Sequence, residues 1–181
     1  KLIKVPVLAA TGCVDPAVLE SYITSNTVCI AGSAPNFPYG QVDPFEALGE
    51  IAQRRKIGLH VDACLGGFVT QFMAKAGVPN APVVDFRIPG VTTISCDTHK
   101  YGFAPKGTSV VLYSNRELRR FQYFTLADWP GGIYASPAAA GSKPGNVIAG
   151  TWASLLSFGD GGYTNACKDM MATMHKITDG V

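Results

Sequence analysis

The sequence has few charged residues and no strong excess of either sign. Only 15% of its 181 residues are Asp, Glu, Lys or Arg, and the formal net charge is +2. The basic residues are scattered, so nucleic-acid binding has little support. A hydrophobic content of 47% excludes a disordered chain and indicates one globular domain with a real core. So sparse a set of charges suggests that a partner subunit or further chain covers part of the surface.

Paired cysteines and metal-ligand spacings are also lacking. The five cysteines include no C-x-x-C pair and no His/Cys spacing of the kind that binds a metal. Their odd number favours reduced thiols in a reducing compartment. Cys29 and Cys96 lie in or beside apolar stretches, so we expect both to be small core residues.

No hydrophobic run is long enough to cross a bilayer, and no signal peptide is apparent. The chain begins without Met, with residues typical of the middle of a strand, and no sequence signal for the end of a folded domain marks its last residues. We therefore expect a fragment of a longer protein. Targeting or anchoring segments would then lie outside these residues.

Short apolar segments alternate with helical patterns along the chain. Asp-Pro pairs beginning at Asp15 and Asp43 predict the starts of two helices. β-Branched and apolar runs predict four buried strands, at 27–31, 59–64, 90–94 and 108–113. Helical patterns predict further helices at 68–76, 116–121, 149–157 and 163–177. This alternation predicts an α/β fold with a mostly parallel sheet flanked by helices.

The last third of the chain contains a long segment rich in Gly, Pro and aromatic residues, from 128 to 145. A loop of this length is usually functional or part of an interface. Its final G-S-K-P-G, at 141–145, is either a phosphate-binding turn or an ordinary surface turn. In the helices that follow, the stripe containing Trp152 forms an apolar face of the first, and the stripe containing Met170 in the second predicts a core or subunit contact.

Two side chains at the ends of predicted strands point to chemistry. Asp62 ends a buried strand, where a carboxylate is costly unless a cation or several donors meet it. It either faces a ligand cation or caps the following helix, and the nearby His60 is expected to be an ordinary, partly buried histidine. Lys100 lies in the turn Ser95–Gly107 between two strands. A confined amine there is expected to lose its proton readily and to form a Schiff base with an aldehyde, although most lysines are solvated surface residues.

These features together match the needs of a pyridoxal phosphate enzyme. A lysine amine holds the cofactor's aldehyde, and a carboxylate keeps the pyridine nitrogen protonated so that the ring can accept electrons. Amides or cations hold the phosphate. Asp62, Lys100 and the loop at 141–145 are suited to these three roles.

Several motifs carry a specific resemblance. The sequence H-V-D-A-C-L-G-G-F at 60–68 resembles the cofactor-aspartate motif of the group II decarboxylase-like, fold-type-I pyridoxal phosphate enzymes. Within that group, the segments 90–107, 131–137 and 140–145 resemble the sphingosine-1-phosphate lyase family. The resemblance covers nearly all of the chain from Asp15 onward. It implies that residues 1–181 are one partial large domain of the fold-type-I transferase fold, without its N-terminal part and the C-terminal small domain.

The resemblance also implies a role for individual residues. Lys100 is similar to the Schiff-base lysine, and Asp62 to the partner of the pyridinium nitrogen. The other implied site residues are Cys64 against the ring face, His99 beside the cofactor phosphate, Lys106 for proton transfer or substrate phosphate binding, and Ser142 near the cofactor phosphate of a neighbouring subunit. Two positions depart from the family pattern: Lys143 replaces the usual Arg and loses its planar fork, and Tyr39 replaces a frequent His.

The implied function is that of a pyridoxal phosphate-dependent aldehyde lyase. It would cleave a phosphorylated sphingoid base to a fatty aldehyde and phosphoethanolamine, as a homodimer with shared active sites. The family implies the cytosolic face of the endoplasmic reticulum in eukaryotes, through an anchor outside this chain, or the cytoplasm in bacteria. It implies no metal.

Two alternatives remain open at this point. An amino-acid decarboxylase of the same fold would share Asp62, His99 and Lys100, but the second lysine, Lys106, and residues 131–137 favour the lyase. A truncated, inactive member with a structural role is the other alternative, against which intact Asp62 and Lys100 argue.

Overall fold

The computed structural model describes residues 1–181 and contains five helices and six strands. The strands are β1 (Cys29–Ser33), β2 (Gly58–Asp62), β3 (Val91–Cys96), β4 (Val110–Tyr113), β5 (Phe124–Leu126) and β6 (Tyr134–Ser136). The helices are α1 (Pro16–Ser21), α2 (Phe45–Arg55), α3 (Gly67–Met73), α4 (Arg116–Arg120) and α5 (Gly145–Asp179). None of the helices has an apolar stretch long enough to cross a membrane.

The main sheet has the strand order β1-β2-β3-β4. β1, β2 and β3 run parallel, and β4 pairs with β3 in the antiparallel sense. The register aligns Ser33 with Asp62 and Asp62 with Ser95, so the carboxyl ends of three strands meet at one edge. This arrangement confirms the predicted α/β fold with a mostly parallel sheet. β5 and β6 form a separate antiparallel pair.

A single cluster of 15 buried residues forms the core between the sheet and the helices α1 and α2. Leu59 and Val61 of β2 are fully buried there, together with Leu48 of α2. Because side chains alternate along a strand, His60 and Asp62 project from the opposite face of β2. Both are half-buried, which keeps the carboxylate of Asp62 away from the apolar core.

The two Asp-Pro pairs behave differently in the structure. Asp15 caps α1 as predicted, accepting hydrogen bonds from the backbone N–H groups of Ala17 and Val18. The predicted cap at Asp43 is wrong, since α2 begins at Phe45 without a side-chain cap. The Asp43 carboxylate instead accepts hydrogen bonds from the N–H groups of Val14, at 3.1 Å, and Ser33, at 2.8 Å. It therefore ties the end of β1 to the chain before α1.

Two strands predicted to be buried lie at the edges of the sheet. β1 begins two residues later than predicted, and Cys29 is exposed, so its assignment to the core is wrong. In β4 the side chains of Val110, Val111 and Leu112 are 38%, 49% and 47% exposed. Each of these strands pairs with only one neighbour, a fact that apolar composition does not reveal.

The C-terminal third also differs from expectation. The predicted loop at 128–145 contains β6, and the two predicted helices form one run, α5, with a break at Gly159 (φ 55°, ψ −173°). The apolar face of the first of these helices is not covered within the chain, since Trp152 is 65% and Leu156 is 64% exposed. In the second of these helices, Met170 lines a groove between α3 and α5.

Tyr163 joins α5 to the lysine loop, which is the turn 95–107 that carries Lys100. Its buried ring packs against Phe68, Phe72 and Phe158, with centroid distances of 5.2 to 5.3 Å. Its hydroxyl donates a hydrogen bond of 2.8 Å to the carbonyl oxygen of Gly102, two residues after Lys100. The long C-terminal helix therefore helps to fix the position of the loop.

Replacing Gly49 with Ala is expected to destabilise the fold, although Ala favours helices. A Cβ at Gly49 would lie 2.6 Å from the carbonyl oxygen of Pro89 and 2.7 Å from Ile88 Cγ2. We expect a loss of about 1–3 kcal/mol in the free energy of unfolding, measured by urea denaturation. As a control, Gly161→Ala in α5 meets no atom within 4 Å and is expected to gain up to about 1 kcal/mol. Equal effects of both changes would contradict the close approach of α2 to the chain before β3.

Candidate active site

The site lies where β2 and β3 end. Beyond the paired residues Asp62 and Ser95, backbone hydrogen bonds continue from Ala63 N–H to Ser95 O (2.9 Å) and from Asp97 N–H to Cys64 O (3.3 Å). The two segments that follow β2 and β3 therefore stay side by side beyond the sheet. This pairing brings Asp62 and Cys64 next to the loop that carries Lys100.

Asp62 is held as an anion by neighbouring donors. Its Oδ1 accepts hydrogen bonds from the Cys64 N–H, at 3.0 Å, and the Ser95 hydroxyl, at 3.2 Å. Burial opposes ionisation, but these hydrogen bonds outweigh it and lower the pKa of the Asp62 carboxyl. The alternative that Asp62 caps the next helix is wrong, because α3 begins after Gly66 without a side-chain cap.

His60 lies next to Asp62 and is an ordinary, half-buried histidine, as predicted. Its ring nitrogens are hydrogen bonded to the hydroxyls of Thr93, at 2.8 Å, and Ser95, at 3.1 Å. Burial lowers the pKa of His60 in spite of the nearby Asp62. A neutral His60 therefore supports Ser95, which in turn donates to Asp62.

The Lys100 amine has two close partners. Its Nζ lies 2.8 Å from Asp97 Oδ2 and 3.4 Å from Cys64 Sγ. The hydrogen bond to Asp97 raises the pKa of Lys100 and outweighs the opposite effect of burial. The expectation that this amine loses its proton readily is wrong for the protein without cofactor. The reason is Asp97, a counter-ion three positions earlier in the same turn.

Asp97 is the residue that sequence reasoning missed. Its carboxylate contacts Lys100 and accepts a 2.6 Å hydrogen bond from the Ser109 hydroxyl. Burial raises the pKa of the Asp97 carboxyl, but the hydrogen bonds from Lys100 and Ser109 outweigh it and the net pKa is lowered. The available signal was the spacing, because a carboxylate three residues before a lysine in a turn can reach its amine.

His99 is fixed by the chain that leads into β4. Its Nδ1 lies 2.7 Å from the carbonyl oxygen of Thr108, and a carbonyl only accepts, so Nδ1 carries the hydrogen. Its Nε2 lies 3.8 Å from Asp97 Oδ2. The ring is thus oriented, with Nε2 directed to the same carboxylate as Lys100.

The remaining predicted site residues are not part of this cluster. Lys106 is exposed at the end of the lysine loop, and Ser142 is exposed in the turn before α5. Neither side chain makes a hydrogen bond or an ion pair within the chain. The two departures from the family pattern, Tyr39 and Lys143, are exposed as well. The roles of Lys106 and Ser142 therefore stay predictions.

The clustered residues fit pyridoxal phosphate. A primary amine, an ionised carboxylate and a thiol converge at the carboxyl edge of a parallel sheet, where α/β folds commonly bind ligands. A carboxylate held as an anion is suited to a protonated ring nitrogen, and the amine to an aldehyde. No group of three or more His, Cys, Asp or Glu side chains that could hold a metal ion occurs in the structure.

Comparison with known proteins identifies the class. Residues 20–181 match the pyridoxal-dependent decarboxylase conserved domain, so the chain belongs to this family. The predicted cofactor, pyridoxal 5'-phosphate, is thereby confirmed at the level of the family.

The curated relatives narrow the resemblance. The chain is 51% identical over 164 residues to the sphingosine-1-phosphate lyase of Saccharomyces cerevisiae, and 53% identical over 160 residues to sphingosine-1-phosphate lyase 1 of Rattus norvegicus. The matches cover 91% and 88% of this chain. They cover only 28% of each relative, so the chain spans little more than a quarter of their length.

Solved structures show the same similarity. The sphingosine-1-phosphate lyase of Burkholderia pseudomallei is 47% identical, with a TM-score of 0.83 over 87% of this chain and 36% of the other. A glutamate decarboxylase of Lactobacillus brevis is 25% identical, with a TM-score of 0.74 over 89% of this chain and 37% of the other. The fold is therefore that of the pyridoxal phosphate-dependent decarboxylases, and the identity is higher to the lyase.

Removing the Ser95 hydroxyl is expected to raise the pKa of Asp62 toward its ordinary value. The Asp62 pKa is lowered in the folded state, so its contribution to stability is present above the ordinary pKa of 3.8 and is lost as the pH falls through the folded-state value. Ser95→Ala should therefore lower the free energy of unfolding at neutral pH, and this difference from the unchanged protein should disappear in acid. NMR titration of the side-chain carboxyl carbons measures the shift directly.

Asp85 is the internal control for that titration. Its pKa is lowered mainly by the hydrogen bond from Arg87, outside the site, and should not change in Ser95→Ala. An unchanged titration of Asp62 would show that Ser95 does not support the carboxylate.

Proposed function

We propose that this chain is part of a pyridoxal phosphate-dependent lyase that cleaves phosphorylated sphingoid bases to a fatty aldehyde and phosphoethanolamine. The observation that carries the proposal is the cluster of Lys100, Asp62 and Cys64 in a chain about half identical to curated sphingosine-1-phosphate lyases. The higher identity to lyases than to the solved glutamate decarboxylase favours aldehyde-forming cleavage of the C2–C3 bond over decarboxylation.

Each clustered residue has a defined task in this proposal. Lys100 would hold the cofactor through its Nζ, and Asp62 would keep the ring nitrogen protonated. Cys64 would lie against the ring face, and His99 would stand beside the phosphate. Bound pyridoxal phosphate supplies an electron sink for the breaking carbon–carbon bond.

Cleavage also needs a base at the substrate's C3 hydroxyl. Loss of that proton turns C3 into an aldehyde carbon as the C2–C3 bond breaks. Lys106 is the first candidate because it is the second lysine of the loop that carries Lys100 and is exposed there. Lys100 is the second candidate, since its amine is freed when substrate replaces it.

We further propose that the site is completed by a second copy of the chain. The region around β5 and β6 exposes large apolar side chains: Phe121 is 87%, Phe124 58%, Trp129 52% and Ile133 84% exposed. Exposed apolar surface of this kind is typical of an interface. In this homodimer Ser142 would approach the cofactor phosphate of the neighbouring subunit.

The proposed location follows from the same family. In a eukaryote we place the protein on the cytosolic face of the endoplasmic reticulum, held by a segment outside this chain, and in a bacterium in the cytoplasm. We also propose that residues 1–181 are one partial cofactor-binding large domain, which the N-terminal part and the small domain of the relatives would complete.

Lys100→Ala is expected to abolish both cofactor binding and cleavage in a full-length protein that contains this chain. The measurements are the visible absorption spectrum with pyridoxal phosphate and the release of fatty aldehyde and phosphoethanolamine from a phosphorylated sphingoid base. Lys168→Ala, an exposed lysine of α5, serves as the control and should retain both. Release of carbon dioxide from an amino acid without aldehyde formation would contradict the proposal. So would the absence of a cofactor absorption band in the unchanged full-length protein.

Lys106→Gln is expected to leave cofactor binding intact and to slow the cleavage step. The cofactor absorption should persist because Lys100 is intact, whereas the rate of cleavage should fall by about 10²-fold or more through loss of a positioned base. Steady-state kinetics compare kcat with KM. An unchanged kcat would assign the base to another residue, with Lys100 the next candidate.

A further inference from the structure

The Asp97 carboxylate is the centre of a small network around Lys100. Its Oδ2 lies 2.8 Å from Lys100 Nζ and 3.8 Å from His99 Nε2, and its Oδ1 accepts the 2.6 Å hydrogen bond from Ser109. The side chain of Asp97 is only 15% exposed. One carboxylate thus contacts both the candidate cofactor lysine and the adjacent histidine.

The network is anchored on both sides. The backbone N–H of Asp97 donates to the carbonyl oxygen of Cys64, the residue whose Sγ is the second partner of Lys100 Nζ. The hydroxyl of Ser109, which holds the other carboxylate oxygen, also lies 3.3 Å from the carbonyl oxygen of Cys96. The carboxylate therefore has a fixed position relative to the end of β2 and to the start of β4.

We propose that Asp97 is a positioning residue that holds the Lys100 ammonium beside Cys64 whenever the amine is not bonded to the cofactor. This inference rests on the proposed role of Lys100 as the cofactor lysine. The groups that face Lys100 are Asp97, from its own turn, and the Cys64 thiol, from the segment after β2, while His99 faces Asp97. Among these groups only Asp97 is an anion in its ordinary state at neutral pH.

The ion pair controls when the amine can react. An ammonium has no free electron pair, so Lys100 must first release a proton to solvent. Bound pyridoxal phosphate would supply an aldehyde that only a neutral amine can attack, and its oxygen would leave as water as the carbon–nitrogen double bond forms. Asp97 makes release of the proton from Lys100 harder and at the same time holds the amine beside Cys64.

The test measures the reactivity of Lys100 in the cofactor-free, full-length protein. Acetic anhydride acylates neutral amines only, and mass spectrometry of peptides reports the labelling rate of each lysine as a function of pH. In Asp97→Asn we expect Lys100 to label about twofold to fivefold faster near neutral pH, the size typical of a partly exposed ion pair. The pH midpoint of Lys100 labelling should move down.

Two controls separate this effect from a general structural change. Lys106, in the same loop, is the internal standard and should keep its rate. Glu117→Gln removes the carboxylate of another i,i+3 ion pair, with Arg120 at 2.9 Å in α4, and should leave Lys100 unchanged. An unaltered labelling profile of Lys100 in Asp97→Asn, or an equal shift at Lys106, would overturn the inference.

Ser109→Ala provides a second variant if Asp97→Asn does not fold. It leaves the charge in place but removes the hydrogen bond that orients the carboxylate, so a smaller increase in Lys100 labelling is expected and no increase would overturn the inference. Labelling requires neither substrate nor cofactor. Failure of the lyase proposal would appear in the cleavage assay, whereas failure of this inference would appear only in the labelling profile of Lys100.

Discussion

The pairing of β2 with β3 is the constraint on which the site depends. These strands are neighbours in the sheet although about 30 residues separate them in the chain, and their register places Asp62 opposite Ser95. Backbone hydrogen bonds extend the pairing to Cys64 and Asp97. A slip of one residue would turn Asp62 to the other face of β2, into the apolar core. The fully buried Leu59 and Val61 oppose such a slip because it would expose them.

Charge in the site is balanced by local partners. The Cys64 N–H and the Ser95 hydroxyl donate to Asp62 and favour its ionised form, and Asp97, 2.8 Å from Lys100 Nζ, favours the ammonium form of Lys100. The two carboxylates thus have different surroundings. Asp62 is neutralised by no cation of this chain and is available to a cationic ligand group. Asp97 is already paired with the only ammonium in the cluster.

Sequence patterns predicted most of the fold because alternating apolar strands and capped helices are local signals. They failed where the outcome depends on neighbours distant in the chain: β4 and Cys29 were assigned to the core, yet they lie at sheet edges. In the site, the strand pattern predicted that Asp62 and Lys100 lie at the ends of strands. The contact of Lys100 with Asp97 was not, since it depends on the conformation of one turn, and it reversed the expected direction of the Lys100 pKa.

In the proposed site, strand pairing brings one particular amine, Lys100, to the cofactor beside Asp62. The most direct measurement is to add pyridoxal phosphate to the full-length protein, fix the carbon–nitrogen link by borohydride reduction, and map the modified residue by mass spectrometry. We expect the cofactor on Lys100, and we expect Asp62→Asn to lower the yield without changing the position. Attachment at Lys106, or spread over several surface lysines, would show that strand pairing does not select this amine.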